Sequence, residues 1–135
     1  MSSTYQRPRH ESVAQSMTTD LLTVTREERL TVAARRMAER GVGAILVMEG
    51  ARLSGILTER DIMRAVGQER IDGTVGDWMT ADPITVDTHA TVGEAAMMMV
   101  HGGFRHVPIV EKGKLVGIVS IRDLLRLPHE SPSGV

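Results

Sequence analysis

Two short segments hold the residues whose types and spacing best suit chemistry, Thr58-Glu59-Arg60-Asp61 and Ser120-Ile121-Arg122-Asp123. Each combines a hydroxyl, an arginine and an aspartate where a strand is predicted to end and a helix to begin. A hydroxyl followed three residues later by an acid is close to a capping box, which would make the pair purely structural. The same groups suit a nucleotide, because the helix N-terminus and the arginine attract a phosphate and the carboxylate can accept hydrogen bonds from both ribose hydroxyls. The residues alone leave both interpretations open.

These segments belong to an internal repeat that covers most of the chain. When residues 13–64 are aligned with residues 75–126 without a gap, 17 of the 52 pairs are identical. The identical pairs include Arg60 with Arg122 and Asp61 with Asp123. So many matches in one ungapped frame indicate that a structural unit has been duplicated.

Each copy predicts the same elements. A short extended segment is followed by an amphipathic helix that ends at Gly41 or Gly103, then by a hairpin of two apolar strands and a second helix. The sequence therefore predicts an α/β fold, a tandem pair of β-α-β-β-α units packed sheet against sheet with pseudo-two-fold symmetry. The predicted division is a flexible N-terminal tail, a first unit, a connector, a second unit and a flexible C-terminal tail, at residues 1–12, 13–66, 67–74, 75–127 and 128–135.

Composition limits the classes of function. Charged residues make up 24% of the chain and the net charge is −1, spread evenly over both copies, so no basic surface for nucleic acid is expected. No apolar run approaches the ~20 residues that span a bilayer, and there is no cysteine for disulfides or thiolate chemistry. We predict no nucleic-acid partner, no membrane partner and a cytoplasmic location.

No constellation of residues indicates catalysis. The chain lacks a nucleophile elbow and a Walker-type phosphate loop, and its five histidines do not show a metal-ligand spacing. Of the run Met97-Met98-Met99, only Met99 falls on the repeated apolar stripe, so the run indicates packing rather than a soft-metal site. We predict that the protein is not an enzyme, holds no metal and requires no cofactor.

The duplicated unit resembles the cystathionine β-synthase (CBS) domain, a tandem pair of which is called a Bateman module. The resemblance covers residues 13–127 and includes the Met-Thr-x-Asp openings at Met17 and Met79, the Gly-hydrophobic-x-Thr/Ser-x-x-Asp segments and the strand at residues 103–110. Members of this family that bind AMP, ADP, ATP or S-adenosylmethionine hold the ligand in a cleft between the copies, and the modules commonly form flat homodimers.

What the resemblance implies for this chain is a regulatory adenine-nucleotide sensor that acts on an unknown protein in trans. Asp61 and Asp123 would hold the ribose, and hydroxyls and arginines beside them would contact ribose or phosphate. The segments Leu22-Thr23 and Ile84-Thr85 would flank the adenine. The implied nucleotide-binding residues are Leu22, Thr23, Thr58, Arg60, Asp61, Ile84, Thr85, Arg105, His106, Ser120, Arg122 and Asp123.

The two copies differ where phosphates would bind. Copy one has Gly43-Ala44 where copy two has Arg105-His106, so copy one lacks two potential phosphate donors. We therefore expect one competent site and one weaker or empty site. The alternative is a ligand-free interaction adaptor in which the Thr/Ser-x-x-Asp segments are only helix caps. The sequence does not name the nucleotide, the regulated partner or the pathway.

Overall fold

The computed structural model describes residues 10–125. These residues fold into two compact units. We call residues 20–83 the contiguous unit, and the described residues 10–19 together with 84–125 the split unit. The C-terminal tail predicted at residues 128–135 and most of the N-terminal tail lie outside the described residues. Glu11 and Ser12 fall in the predicted N-terminal tail. The Glu11 carbonyl nevertheless accepts a hydrogen bond from the Val92 N–H at 2.7 Å, and the Ser12 hydroxyl donates to the Thr88 carbonyl.

The contiguous unit contains one mixed sheet and three helices. Its sheet has the order β1-β2-β3-β4, with β1 parallel to β2 and the other neighbours antiparallel. In chain order its elements are β1 (Thr23–Val24), α1 (Leu30–Arg40), β2 (Ala44–Glu49), β3 (Arg52–Thr58), α2 (Glu59–Gly67), α3 (Val75–Trp78) and β4 (Thr80–Ala81).

The split unit repeats this plan. After a short 3-10 helix at Val13–Gln15, its sheet has the order β5-β6-β7, again with a parallel first pair and an antiparallel hairpin. Its remaining elements are β5 (Val86–Asp87), α4 (Val92–Gly102), β6 (His106–Glu111), β7 (Lys114–Ser120) and α5 (Ile121–Leu124). The predicted β-α-β-β-α order is confirmed in both copies, and residues 126–127 of the predicted last helix lie outside the described residues.

The long helices form where the apolar spacing predicts them. Leu30, Ala33 and Met37 are buried along one face of α1, and Val92, Ala95 and Met99 are their counterparts on α4. Both helices end at a glycine in the left-handed conformation, Gly41 at φ +67° and Gly103 at φ +71°. A side chain disfavours this conformation, so glycine stops each helix and turns the chain into the following strand.

The opening segment of each repeat packs with the other repeat. Val13 lies in the core of the split unit and its N–H donates to Ala90, while Val75 and Trp78 lie in the core of the contiguous unit. Thr18 exchanges two backbone hydrogen bonds with Ile118 on β7, at 2.8 and 3.0 Å. The compact units therefore start and end several residues away from the sequence repeats at 13–66 and 75–127.

Candidate functional site

In the contiguous unit, the predicted residues meet at the end of the sheet where β2 begins and β3 ends. We call these strand ends the sheet edge. The pairing of β2 with β3 places Ala44 opposite Thr58, the last residue of β3, and the Leu22 carbonyl accepts the Leu46 N–H at 3.0 Å. The Glu59 N–H, at the start of α2, donates to the Gly43 carbonyl at 3.0 Å. Leu22-Thr23, the start of β2 and the first turn of α2 are thus brought together by backbone pairing.

Asp61 is buried at this edge and is surrounded by donors. Its Oδ2 accepts hydrogen bonds from the Thr58 N–H at 2.8 Å and from the Thr58 hydroxyl at 3.1 Å. Its Oδ1 forms an ion pair with Nη1 of Arg64 at 3.1 Å. The capping-box interpretation of this segment is therefore satisfied. Arg60, by contrast, is exposed.

The split unit has the same edge with different side chains. Strand pairing places His106 directly opposite Ser120, and the Arg105 carbonyl accepts the Ile121 N–H at 2.9 Å. Ile84-Thr85 directly precede β5, which pairs with β6. The structure therefore brings the copy-two strand ends together in the same way as those of copy one.

Asp123 and Ser120 form a reciprocal capping box. The Asp123 Oδ2 accepts the Ser120 N–H at 2.8 Å, and the Ser120 hydroxyl accepts the Asp123 N–H at 3.1 Å. Asp123 is half-buried, whereas Asp61 is buried. A carboxylate with more solvent contact can take a ligand with less rearrangement of the protein.

The charges at the two edges differ. Arg105 and Arg122 are both exposed at the split-unit edge, and His106 is half-buried. At the matching positions the contiguous unit has Gly43, Arg60 and Ala44, and it places the exposed Glu59 where the split unit has Ile121. The split-unit edge therefore suits an anion better than the edge of the contiguous unit.

Sequence reasoning gave no role to Arg64, which the structure pairs with Asp61. Arg64 lies one turn along α2 from Asp61, and its guanidinium carbon is 5.5 Å from the centre of the Trp78 ring. Trp78 is buried in the core of the contiguous unit. The i, i+3 spacing of Asp61 and Arg64 could have indicated the ion pair. The contact with Trp78 could not be found locally, because it joins residues from different repeats.

Two aspartates outside the candidate residues have lowered pKa values. The pKa of Asp77 lies below its usual value chiefly because its carboxylate accepts the Thr74 N–H, at 2.9 Å, in the capping box of α3. The pKa of Asp87 is lowered by hydrogen bonds from the N–H and ring of His89, at 2.9 and 2.7 Å. Both are local features of turns and helix starts.

Two other kinds of site are absent from residues 10–125. That part of the chain has no cluster of histidine and acidic side chains that could hold a metal ion. No helix described there is long and apolar enough to cross a bilayer. Met99 is buried in the core of the split unit while Met97 is exposed, as the repeated stripe predicts.

Comparison with protein families gives two matches in this chain. The model of the CBS domain matches residues 11–68 and again residues 75–130. A 17.7 kDa protein from Acidianus ambivalens is 41% identical over 116 residues, which cover 84% of this chain and 71% of that protein. Both matches span nearly the whole duplicated region.

Solved structures agree with this family and two of them contain ligands. The CBS domain protein PAE2072 from Pyrobaculum aerophilum, complexed with AMP, has a TM-score of 0.80 and 30% identity, covering 87% of this chain and 92% of that one. The CBS domain pair of protein MJ0100, in complex with 5′-methylthioadenosine and S-adenosyl-L-methionine, has a TM-score of 0.77 and 25% identity, covering 83% and 90%.

Proposed function

The chain belongs to the CBS domain family, and we propose that it is a regulatory module that binds an adenine nucleotide or a related adenosyl ligand. The family matches are to a domain rather than to catalytic machinery, and we propose that the module acts on another protein and performs no catalysis itself. Its cytoplasmic location stays a prediction from composition.

The observation that carries this proposal is the repeated pairing of a hydroxyl with an aspartate at the end of the last strand of each hairpin. Both copies place the pair at the edge where the first parallel strand also begins, so a carboxylate, backbone groups and apolar side chains lie close together. Two relatives of the same fold hold AMP or adenosyl compounds, which share a ribose diol and an adenine. A carboxylate that accepts both ribose hydroxyls recognises the part common to all of these ligands.

In the proposed site of the split unit, each group has one role. Asp123 accepts hydrogen bonds from the ribose hydroxyls, and Ser120 contacts ribose or the first phosphate. Arg105, His106 and Arg122 supply positive charge and donors to the phosphates. Ile84, which is exposed, and Thr85 contact the adenine. Leu22, Thr23, Thr58, Arg60 and Asp61 are the corresponding set in the contiguous unit.

The two sets are not equivalent in our proposal. Glu59 repels a phosphate at the edge of the contiguous unit, and Gly43-Ala44 offer no side-chain donor there. Arg105 and His106 add charge and donors at the edge of the split unit. We therefore propose one tight nucleotide site, based on Asp123, and one weak or empty site, based on Asp61.

We further propose that the protein is a homodimer. On α2, Met63 and Val66 are 66% and 58% exposed, and their spacing of three residues puts them on one helix face. Apolar side chains exposed together in this way mark an interaction surface. A dimer mass by light scattering, converted to a monomer mass by Met63→Glu with Val66→Lys, supports this assignment; a monomer in the unaltered protein contradicts it.

A second candidate function is a ligand-free adaptor, and one observation favours it. The capping-box arrangement also occurs at Thr74 with Asp77 and at Thr91 with Glu94, where no ligand is predicted. The Thr/Ser-x-x-Asp segments can therefore be explained as helix starts alone. Under this function no nucleotide stabilises the protein.

A thermal unfolding series with AMP, ADP, ATP, S-adenosylmethionine and 5′-methylthioadenosine separates the two functions. A ligand at 100 times its dissociation constant stabilises the folded state by ~2.7 kcal/mol, which raises the midpoint by several degrees. Guanosine monophosphate serves as the matched control, since it carries the same ribose and phosphate on a different base. No rise with any adenosyl compound supports the adaptor.

A further inference from the structure

In each unit a methionine sulfur lies against a strand glycine. A side-chain carbon added to Gly55 on β3 would lie 2.6 Å from the Met79 sulfur. One added to Gly117 on β7 would lie 2.5 Å from the Met17 sulfur. Distances this short leave no room for a methyl group between the sulfur and the strand. Each thioether is therefore in close contact with backbone that carries no side chain.

The contact lies where the opening segment of each repeat pairs with a strand. Thr18, next to Met17, exchanges two backbone hydrogen bonds with Ile118 on β7, at 2.8 and 3.0 Å. In the contiguous unit, β4 directly follows Met79 and pairs with β3. Both methionines also pack on the core of their own unit. The sulfur contact and the backbone pairing thus stabilise the same segment.

The exposure of these two side chains differs from that of methionines at the surface. Met17 and Met79 are half-buried, so part of each side chain is open to a small oxidant in the folded protein. Met63 and Met97 are 66% and 46% exposed, and an oxygen added to either sulfur stays in solvent. Oxidation of the exposed pair therefore leaves the packing unchanged, whereas oxidation of the half-buried pair alters a contact within the fold.

Hydrogen peroxide converts a thioether into a sulfoxide by transfer of one oxygen atom. The sulfur lone pair forms the S–O bond and the O–O bond breaks. The displaced hydroxide takes the proton of the new S–OH group and leaves as water. The sulfur loses the two electrons that the peroxide gains. A polar and chiral group then stands in place of an apolar one.

A sulfoxide fits poorly at these two contacts. The Thr18 carbonyl oxygen lies 3.1 Å from the carbon position at Gly117, and the Thr80 carbonyl oxygen lies 3.0 Å from the position at Gly55. A carbonyl oxygen cannot donate a hydrogen bond to the oxygen of a sulfoxide. Since a buried polar group without a partner is unfavourable, the oxidised side chain is more stable away from the strand and in water.

We propose that Met17 and Met79 are modification sites at which peroxide forms a sulfoxide and releases the opening segment of each repeat from its strand. At Met17 the released segment is a neighbour of β7, and Ile118 lies two residues before Ser120 of the proposed nucleotide site. Oxidation of Met17 therefore weakens nucleotide binding as well as the fold. The effect on binding rests on the proposed function, and the effect on stability does not.

The test exposes the full chain to graded hydrogen peroxide, while peptide mass spectrometry reports which methionines carry oxygen. The thermal midpoint of the unaltered protein is expected to fall by roughly 5 °C or more as Met17 and Met79 are oxidised. The double variant Met17→Leu, Met79→Leu keeps the apolar volume without a sulfur, so its midpoint is expected to stay constant. Met97→Leu removes an exposed sulfur instead, and this control is expected to respond like the unaltered protein.

Calorimetry with AMP tests the effect on binding at Met17. In the Met79→Leu protein, which keeps Met17, peroxide is expected to raise the dissociation constant about threefold or more. In the Met17→Leu protein, which keeps Met79, the same treatment is expected to raise it by less than about twofold. Equal loss of AMP affinity in the two single variants overturns the role of Met17 at the nucleotide site.

Reversal of the oxidation supplies a readout that needs no substitution. Methionine sulfoxide reductases remove the oxygen from both epimers of the sulfoxide. Treating the oxidised, unaltered protein with both reductases and dithiothreitol is expected to restore the thermal midpoint and the AMP affinity as the sulfoxides at Met17 and Met79 disappear. If a leucine variant does not fold, this measurement decides the matter.

Three further results overturn the inference. Sulfoxide at Met17 and Met79 with an unchanged midpoint shows that the thioether contacts do not hold the segments. A double leucine variant whose midpoint falls as far as that of the unaltered protein shows that the loss arises elsewhere. No sulfoxide at either position, at peroxide concentrations that fully oxidise Met63 and Met97, shows that the fold protects both sulfurs. Failure of the proposed function is distinct, because the unoxidised protein then does not bind AMP while the midpoints still test the modification.

Discussion

At the scale of single residues, the same residue type has different surroundings in the two copies. Asp61 and Asp123 are identical in sequence position within the repeat, and both accept the N–H of their cap residue at 2.8 Å. Asp61 is also buried and paired with Arg64, whereas Asp123 is half-buried. The burial and ion pair of Asp61 indicate a role in the fold, and in our proposal Asp123 is the residue that binds the ligand.

Exchange of the two aspartates for asparagine separates these roles. Asp123→Asn is expected to weaken AMP binding roughly 10- to 100-fold, because a hydrogen bond to a charged group is worth ~1.5–3 kcal/mol. Asp61→Asn is expected to weaken AMP binding little and to lower the free energy of unfolding by ~1 kcal/mol or more, since it removes the ion pair from a buried site. Calorimetry and urea unfolding of both variants measure this; equal effects on AMP binding contradict it.

At the scale of elements, the local patterns predicted the helices and hairpins well. Stripes of apolar residues, glycines at helix ends and acids three residues after a hydroxyl are all local signals, and each is found where expected. The location of the opening segments was not predictable in this way. Residues 80–82 belong to the second repeat in sequence but pair with β3 of the first, and nothing in the segment itself identifies its partner strand.

A glycine on β3 makes this pairing possible. A side-chain carbon on Gly55 would lie 2.6 Å from the Met79 sulfur and 3.0 Å from the Thr80 carbonyl oxygen, so Gly55→Ala is expected to displace β4. We expect a loss of ~1–3 kcal/mol in the free energy of unfolding, the range for overpacking. Gly67→Ala is the control, since nothing lies within 4 Å of the added carbon. Equal stability of the two variants would show that β4 does not pack closely on Gly55.

The cap of α3 gives a pH dependence with a definite sign. Because folding lowers the pKa of Asp77 below its usual value of 3.8, the ionised carboxylate stabilises the fold when the pH is above that value. This contribution is lost as the pH falls through the folded-state pKa. The thermal midpoint of the unaltered protein is expected to fall more between pH 5 and pH 3 than that of Asp77→Asn. A steeper fall in the variant contradicts this role of the carboxylate.

At the scale of the whole molecule, duplication in sequence and compactness in space divide the chain differently. The repeats start at residues 13 and 75, but the contiguous unit runs from residue 20 to residue 83 and takes the opening segment of the second repeat. A single repeat cannot complete its core, because Val75 and Trp78 come from beyond its end. The duplication itself was fully evident from the sequence.

Two fragments of the chain test this division. A fragment of residues 20–83 contains all seven elements of the contiguous unit and is expected to show helical circular dichroism with a cooperative thermal transition. A fragment of residues 13–66 lacks Val75, Trp78 and β4 and is expected to be less structured, without a sharp transition. A more cooperative transition in the 13–66 fragment contradicts the division.

The account depends most directly on whether this chain binds AMP at one site. Isothermal titration of the unaltered protein with AMP measures the number of sites and their affinities together. We predict one tight site per chain, weakened roughly 10- to 100-fold by Asp123→Asn, with any second site in the unaltered protein at least tenfold weaker than the first. Two sites of equal affinity, or no binding of AMP, contradict the account.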